Sequence, residues 1–275
     1  MISGFLESWP LFQWTYLAAL ALAVALSTLG VVVVTRGQVF IAAAISQASL
    51  LGLAVNLWLG WGAPAVAATA FSGAAALATA RRRNHRAGVS ADEATGWLFL
   101  ACGSLAILVL AKQPVGLKEV QAMMASSVLG SSAGDAGVFG LLALGAVGLV
   151  FGVRQRLVLL ITDPTMAAAV GMRVGLWVMG LALALGLLTG LAVRATGLLF
   201  AFGCLVLPPL IAKNLCRDVA PMFWVAPVVA VVSVLTGFVL AHHFDSPPGQ
   251  VVVAGLAVAL LAAWGWREGR EWFLG

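Results

Sequence analysis

Charge is what this chain most lacks. Only 9% of its 275 residues are Asp, Glu, Lys or Arg, against 62% hydrophobic, and its mean hydropathy is +1.07. So few polar groups cannot cover the surface of a soluble globule. The chain therefore belongs in a bilayer. A second absence is of ionisable groups at membrane depth. Every acidic residue falls in or beside a loop: Glu7, Asp92, Glu93, Glu119, Asp135, Asp163, Asp218, Asp245, Glu268 and Glu271. A membrane aspartyl protease needs two carboxylates inside the bilayer, and a membrane zinc protease needs HExxH on a helix. Neither is present. The histidines are His85 in a basic stretch and His242 and His243 at a helix end, so no membrane-embedded His or Lys stands beside a Ser as a hydrolase relay. The same lack argues against a secondary transporter or proton pump, which place ionisable residues at membrane depth for coupling.

Two further absences limit the chemistry. There is no Gly-Lys dipeptide, hence no GxxxxGK[ST] loop to cradle phosphate. The chain is expected to be no enzyme and to bind no cofactor; any ATP that drives it acts through a partner ATPase. Cysteine is scarce, with Cys102 and Cys204 inside apolar runs, Cys216 at a helix end, and no CxxC. Three free thiols are expected.

What the sequence has is long apolar runs. A helix needs about 20 mostly apolar residues to cross a ~30 Å hydrocarbon core. Nine candidates occur, near 15–35, 38–59, 63–80, 95–111, 136–153, 175–193, 197–213, 222–243 and 250–267. The fourth and seventh are short, so the expected fold is an all-α polytopic membrane bundle of eight or nine spans, in one domain over residues 1–275. The first run is retained as a span, because "MISGFLESW" carries Glu7 in place of a basic leader.

Lys and Arg set the orientation. Nine spans with the N-terminus outside put Arg36, Arg81, Arg82, Arg83, Arg86, Arg154, Arg156, Arg173, Lys213, Arg217, Arg267 and Arg270 inside. Only Lys112, Lys118 and Arg194 remain outside. The expected topology is N-out, C-in, with a cytoplasmic C-terminus. It accounts for the net charge of +5 without nucleic acid, and the basic "RRRNHR" reads as a topology anchor.

Two connections exceed a turn: 111–135 outside and 153–175 inside. In the inner one, Thr162 and Asp163 precede Pro164 and "TMAAAVGM". A Thr or Asp side chain caps first-turn amides, and Pro suits the first helical position. A short helix with small residues is expected there, either docking against something or tying two spans together at the interface. GxxxG spacings at Gly148/Gly152, Gly171/Gly175 and Gly186/Gly190 suit close helix packing.

Four stretches in succession then carry a resemblance: "ISQASLLG", "TDPTMAAAVGM", "TGLLFAFGCLVLPPLIAK" and "HHFDSPPGQVVVA". In that order and at those distances the chain resembles the membrane permease of bacterial zinc, manganese and iron ABC importers, over nearly its whole length. The resemblance implies a place in the bacterial inner membrane beside a second permease copy or paralogue. It also implies two cytoplasmic ATP-binding subunits, and an extracytoplasmic solute-binding protein that delivers substrate. The 163–174 stretch matches the family's coupling helix, which implies an ATPase-docking role for Asp163, Pro164, Thr165, Ala168 and Gly171. Pro208 matches a proline late in a family span, and Asp245, Pro247 and Gly249 match its D-x-P-x-G element.

In the family the second span reads like "GDTLAHASLLG", its Asp and His one turn apart as oxygen and nitrogen ligands. Here those places hold Ala43 and Gln47. Ala43, Ser46 and Gln47 are candidates to line a substrate pathway, and Gln47 is open to two readings, a pore-lining amide or an interhelical contact. His242, His243 and Asp245 are a candidate metal cluster at an outer helix end, or else an interfacial cap. The function expected from the resemblance is import of a divalent metal. Import of a metal chelate or another small solute, or a stand-alone channel or interaction protein, are the alternatives.

Overall fold

The computed structural model describes residues 2–82, 91–111, 118 and 133–274. Among these every regular element is helical: α1 (Ile2–Thr35), α2 (Val39–Leu59), α3 (Pro64–Arg82), α4 (Ala91–Ala111), α5 (Ala133–Thr162), α6 (Pro164–Ala169), α7 (Val174–Thr196), α8 (Leu198–Leu215), α9 (Val219–His243) and α10 (Pro248–Leu274). All nine apolar runs fall on the long helices. Eight of these are long and apolar enough to cross a membrane; α3 is not among them. Its sequence, "PAVAATAFSGAAALATARR", is dominated by alanine, whose methyl adds little hydropathy.

Helices also run where a loop was expected. The helical geometry does break at Val153 (φ −116°, ψ 15°), where the inner connection was expected to begin, but a second helical stretch carrying Arg154 and Arg156 runs on to Thr162. The second run ends where expected, with α2 reaching Leu59. Asn56 is buried and closes the turn to α3. Its Oδ1 accepts from the Ala63 amide at 3.1 Å, and its carbonyl accepts from the Trp61 amide at 3.3 Å. Gly60 and Gly62 in that turn both have φ +66°, the left-handed region where glycine carries no side-chain penalty. Most of the outer connection and the basic stretch at 83–86 lie outside the described residues.

The chain forms two compact units. One contains α1, α5 to Val158, and the chain from Gly203 through α9 and α10. In its core Tyr16 meets Phe238 at 5.0 Å between ring centroids, and nearer its surface Phe151 meets the exposed Trp224 at 4.2 Å. Glycine admits close crossings there. A β-carbon on Gly237 would meet Val252 Cγ2 at 2.4 Å, and one on Gly203 would meet Val253 Cγ2 at 2.7 Å.

The other unit contains α2, α3, α4, and Leu159 to Phe202 with α6 and α7. Here α3 packs on both α2 and α7, and α2 packs on α4. The contacts are made by small residues. A β-carbon on Gly52 would stand 2.5 Å from the Ala67 carbonyl oxygen, and one on Gly190 would stand 2.5 Å from Ser72 Oγ. Gly186 and Gly190 thus use their GxxxG spacing at a true helix crossing. Gly148 and Gly152 have nothing within 4 Å of such a carbon, and Gly171 lies at φ +84°, in a helix cap. The Ala-rich composition that lowers α3's hydropathy is what allows it into this centre, because association inside a membrane depends on backbone approach rather than on hydrophobic contrast.

Candidate functional site

Ala43 and Gln47 stand one turn apart on α2, both half-buried. Their face meets α4, which runs parallel to α2. Phe40 stacks near Phe99 at 5.4 Å between ring centroids. One turn and more further on, a β-carbon on Gly103 would lie 3.4 Å from Gln47 Oε1. That oxygen is buried and has no hydrogen-bond partner among the described residues. An amide acceptor in apolar surroundings without a donor is unfavourable by about 1–3 kcal/mol, a cost that the contact with α4 has to offset.

Ser46 lies on a different face. It is 1% exposed, and its Oγ donates to the Ala42 carbonyl at 2.9 Å in its own helix. Successive helical residues point about 100° apart, as 3.6 residues per turn requires, so Ser46 is turned away from the Gln47 direction. The α4 positions Gly96, Phe99 and Gly103 were not singled out from sequence. Their i, i+3, i+7 spacing was the available signal, hidden because two of the three are glycine.

The second constellation is α6. Asp163 caps it: Oδ1 accepts from the Thr165 amide at 3.0 Å and the Met166 amide at 2.9 Å, and also from the Thr165 hydroxyl. The Thr165 hydroxyl, then the Met166 amide, hold the Asp163 carboxyl below the ordinary carboxylate range. Pro164 occupies the first helical position. At the other end the Gly171 amide donates to the Ala168 carbonyl and the Met172 amide to the Ala167 carbonyl, each at 3.0 Å. Those two bonds around a left-handed glycine form a Schellman closure.

Pro164, Thr165, Ala168 and Gly171 are exposed and Ala167 is buried. Met166 and Val170, one turn apart, are 54% and 60% exposed. The helix presents a fixed apolar pair outward, and its packing within the unit is against α7.

His242 and His243 occupy the last turn of α9. Asp245 follows at φ +48°, and the His243 ring meets Phe244 edge-on at 5.0 Å. Among the described residues no three His, Cys, Asp or Glu side chains form a group able to hold a metal ion. Adjacent helical histidines diverge around the axis, and the chain has left the helix before Asp245. Cys102, Cys204 and Cys216 are free, as expected.

The chain resembles known proteins in sequence and in fold. The sequence pattern of the ABC 3 transport family matches residues 8–266. The chain is 24% identical over 256 residues to the chelated iron transport system membrane protein YfeD of Yersinia pestis, covering 93% of this chain and 85% of that protein. It is 26% identical over 250 residues to the manganese transport system membrane protein MntC of Listeria innocua, covering 90% and 88%. A solved structure, PsaBC from Streptococcus pneumoniae in complex with Fab, has the same fold, with a TM-score of 0.82 at 19% identity over 96% of this chain and 95% of that one.

Proposed function

Because the chain belongs to the ABC 3 transport family, we propose that it is the membrane-spanning permease of an ABC importer for a divalent metal ion, of the manganese, iron or zinc class. A second permease, identical or paralogous, completes the pathway; two cytoplasmic ATP-binding subunits drive it; an extracytoplasmic binding protein loads it. The roles of the relatives in manganese and chelated iron transport support the substrate class. The bias of basic residues supports N-out, C-in.

The observation that carries the reading is α6. A short helix closed at both ends, with Met166 and Val170 outward, is a finished docking element, and this chain has no phosphate-binding loop of its own. A stand-alone channel has no need of such an element. The side chains at Ala43 and Gln47 supply no metal-ligand pair, so a second reading of the cargo is carried into the test. A hydrated ion or a chelate keeps its own oxygen shell and needs no carboxylate or imidazole from the wall.

Uptake decides between them. Cells lacking this gene and cells carrying it on a plasmid are compared for accumulation of radioactive manganese, zinc and iron, each free and as a citrate chelate. Accumulation restored for one free ion gives the ion reading; restoration for the chelate alone gives the chelate reading. No difference for any metal in either form overturns both.

A further inference from the structure

Where α8 ends and α9 begins, a cleft of about 460 Å³ opens, bounded by Thr35 of α1, the Lys213–Val219 segment, and Trp266 and Arg267 of α10. Three cations line it, Lys213, Arg217 and Arg267, with Asp218 as the acidic residue among its walls. All four are exposed. Arg267 already interacts with another group, so the argument rests on Lys213 and Arg217. These lie four residues apart around the last turn of α8 and are attached to a short connection.

The approach to the cleft is layered. Along α10, Val258 and Leu261 are 67% and 62% exposed, Trp264 and Trp266 follow at 45% and 68%, and then comes Arg267. From Val258 to Arg267 the helix rises about 13 Å, close to the ~15 Å of one leaflet's hydrocarbon. Aliphatic, aromatic and cationic residues in that order match the depth profile of a phospholipid: acyl chain, interfacial region, headgroup. A net positive cleft at headgroup depth attracts phosphate, and the guanidinium and ammonium donors suit its oxygens.

We propose that this cleft holds the phosphate headgroup of an anionic phospholipid, with Lys213 and Arg217 on the phosphate, Trp266 at the interfacial rim, and the acyl chains in the hydrocarbon at the depth of Leu261 and Val258. The site makes no use of the transported ion, and it stands whichever metal is carried.

Quenching of tryptophan fluorescence by brominated lipid tests it. The purified chain is placed in nanodiscs containing brominated phosphatidylglycerol or brominated phosphatidylcholine, and the Trp266 signal is taken as the difference from Trp266→Phe. Phosphatidylglycerol should quench that signal at lower mole fraction. Lys213→Gln and Arg217→Gln should each weaken the preference about fivefold, while Lys213→Arg with Arg217→Lys, which keeps both charges, should retain it. Equal quenching by both lipids overturns the proposal, as does loss of the preference in the charge-preserving variant. Full displacement of phosphatidylglycerol by millimolar inorganic phosphate assigns the cleft to a soluble phosphate and overturns the lipid assignment.

Discussion

Ser72 Oγ stands 2.7 Å from the Gly186 carbonyl and 2.7 Å from the Ala68 carbonyl of its own helix, its one hydroxyl hydrogen shared between them, at a crossing of α3 and α7 where a β-carbon on Gly186 would lie 2.8 Å from the Ser72 carbonyl oxygen. The hydroxyl and the missing side chain act together: one bonds the helices, the other lets them approach. Ser72→Ala should lower stability by about 0.6–2 kcal/mol. Gly186→Leu, which forces backbone apart, should lower it by about 1–3 kcal/mol or more. Thermal unfolding in detergent measures both, and a larger loss from Ser72→Ala than from Gly186→Leu would refute the ranking.

Gln47→Leu should raise thermal stability by about 1 kcal/mol, since it removes an unpartnered buried acceptor beside Gly103 while keeping similar volume. If this face also lines the pathway, the same variant should slow uptake. Ala43→Asp with Gln47→His would set a carboxylate and an imidazole one turn apart. Zinc or manganese bound per chain, counted after chelation and re-addition, should then exceed that of the unaltered protein. No gain in metal would leave Gln47 as a packing residue.

Asp163→Ala and Gly171→Ala should open α6 from its two ends. Gly171→Ala places a methyl at φ +84°, unfavourable by about 1 kcal/mol or more. Because α6 has little packing to lose, the melting temperature should scarcely move. Hydrogen exchange at the α6 amides should quicken in both variants. Asp163's folded-state pKa is lowered, so its capping contribution is present above the unfolded value of ~3.9 and is lost as pH falls through the lowered one. Protection of α6 should therefore be flat from about pH 5 to 8, and a fall within that window would show that the carboxylate is not the cap.

Ala168→Arg and Met166→Asp place charge on the exposed face of α6. Each should leave the permease folded and reduce co-purification of its ATPase subunit, with uncoupled hydrolysis where binding persists. Normal coupled uptake in both would remove α6 as the docking element.

Orientation is testable without the structure. In a cysteine-free background, a cysteine at Gln113 should react with an impermeant maleimide added to intact cells, and one at Asn84 only after lysis. The reverse pattern would invert the proposed topology.

Much of this was legible because a bilayer imposes one length and one polarity on every span. Hydropathy located all nine long helices, including α3, whose alanines look weak to a hydropathy sum yet suit a crowded helix centre. Asp163 and Pro164 were legible for a different reason: an N-terminal cap is local, three or four residues deep, whereas Gly171 was read as a packing glycine and turned out to close the other end of the helix. Other features were less legible. The apolar run ends at 153, where the helical geometry breaks at Val153, but the helical stretch that follows to Thr162 carries Arg154 and Arg156 and is too short to announce itself as a span. Ser46 was grouped with Gln47 because both are polar, and only the structure shows its hydroxyl engaged by the Ala42 carbonyl four residues before it. The neighbours of Gln47 on α4 could not be read at all, because Gly103 acts through what it does not occupy. No single-residue property announces that.

The double closure of α6 has a mechanical consequence. Fixing a backbone residue costs about 1–2 kcal/mol, so a partner that met a floppy stretch of six residues, the length of α6, would forfeit on the order of 6–12 kcal/mol of its grip to freeze it. Here Asp163 and Gly171 have frozen it in advance. If α6 is the docking element proposed above, such a joint can be small, gripping through little more than Met166 and Val170, and still transmit a push or a pull without first going slack.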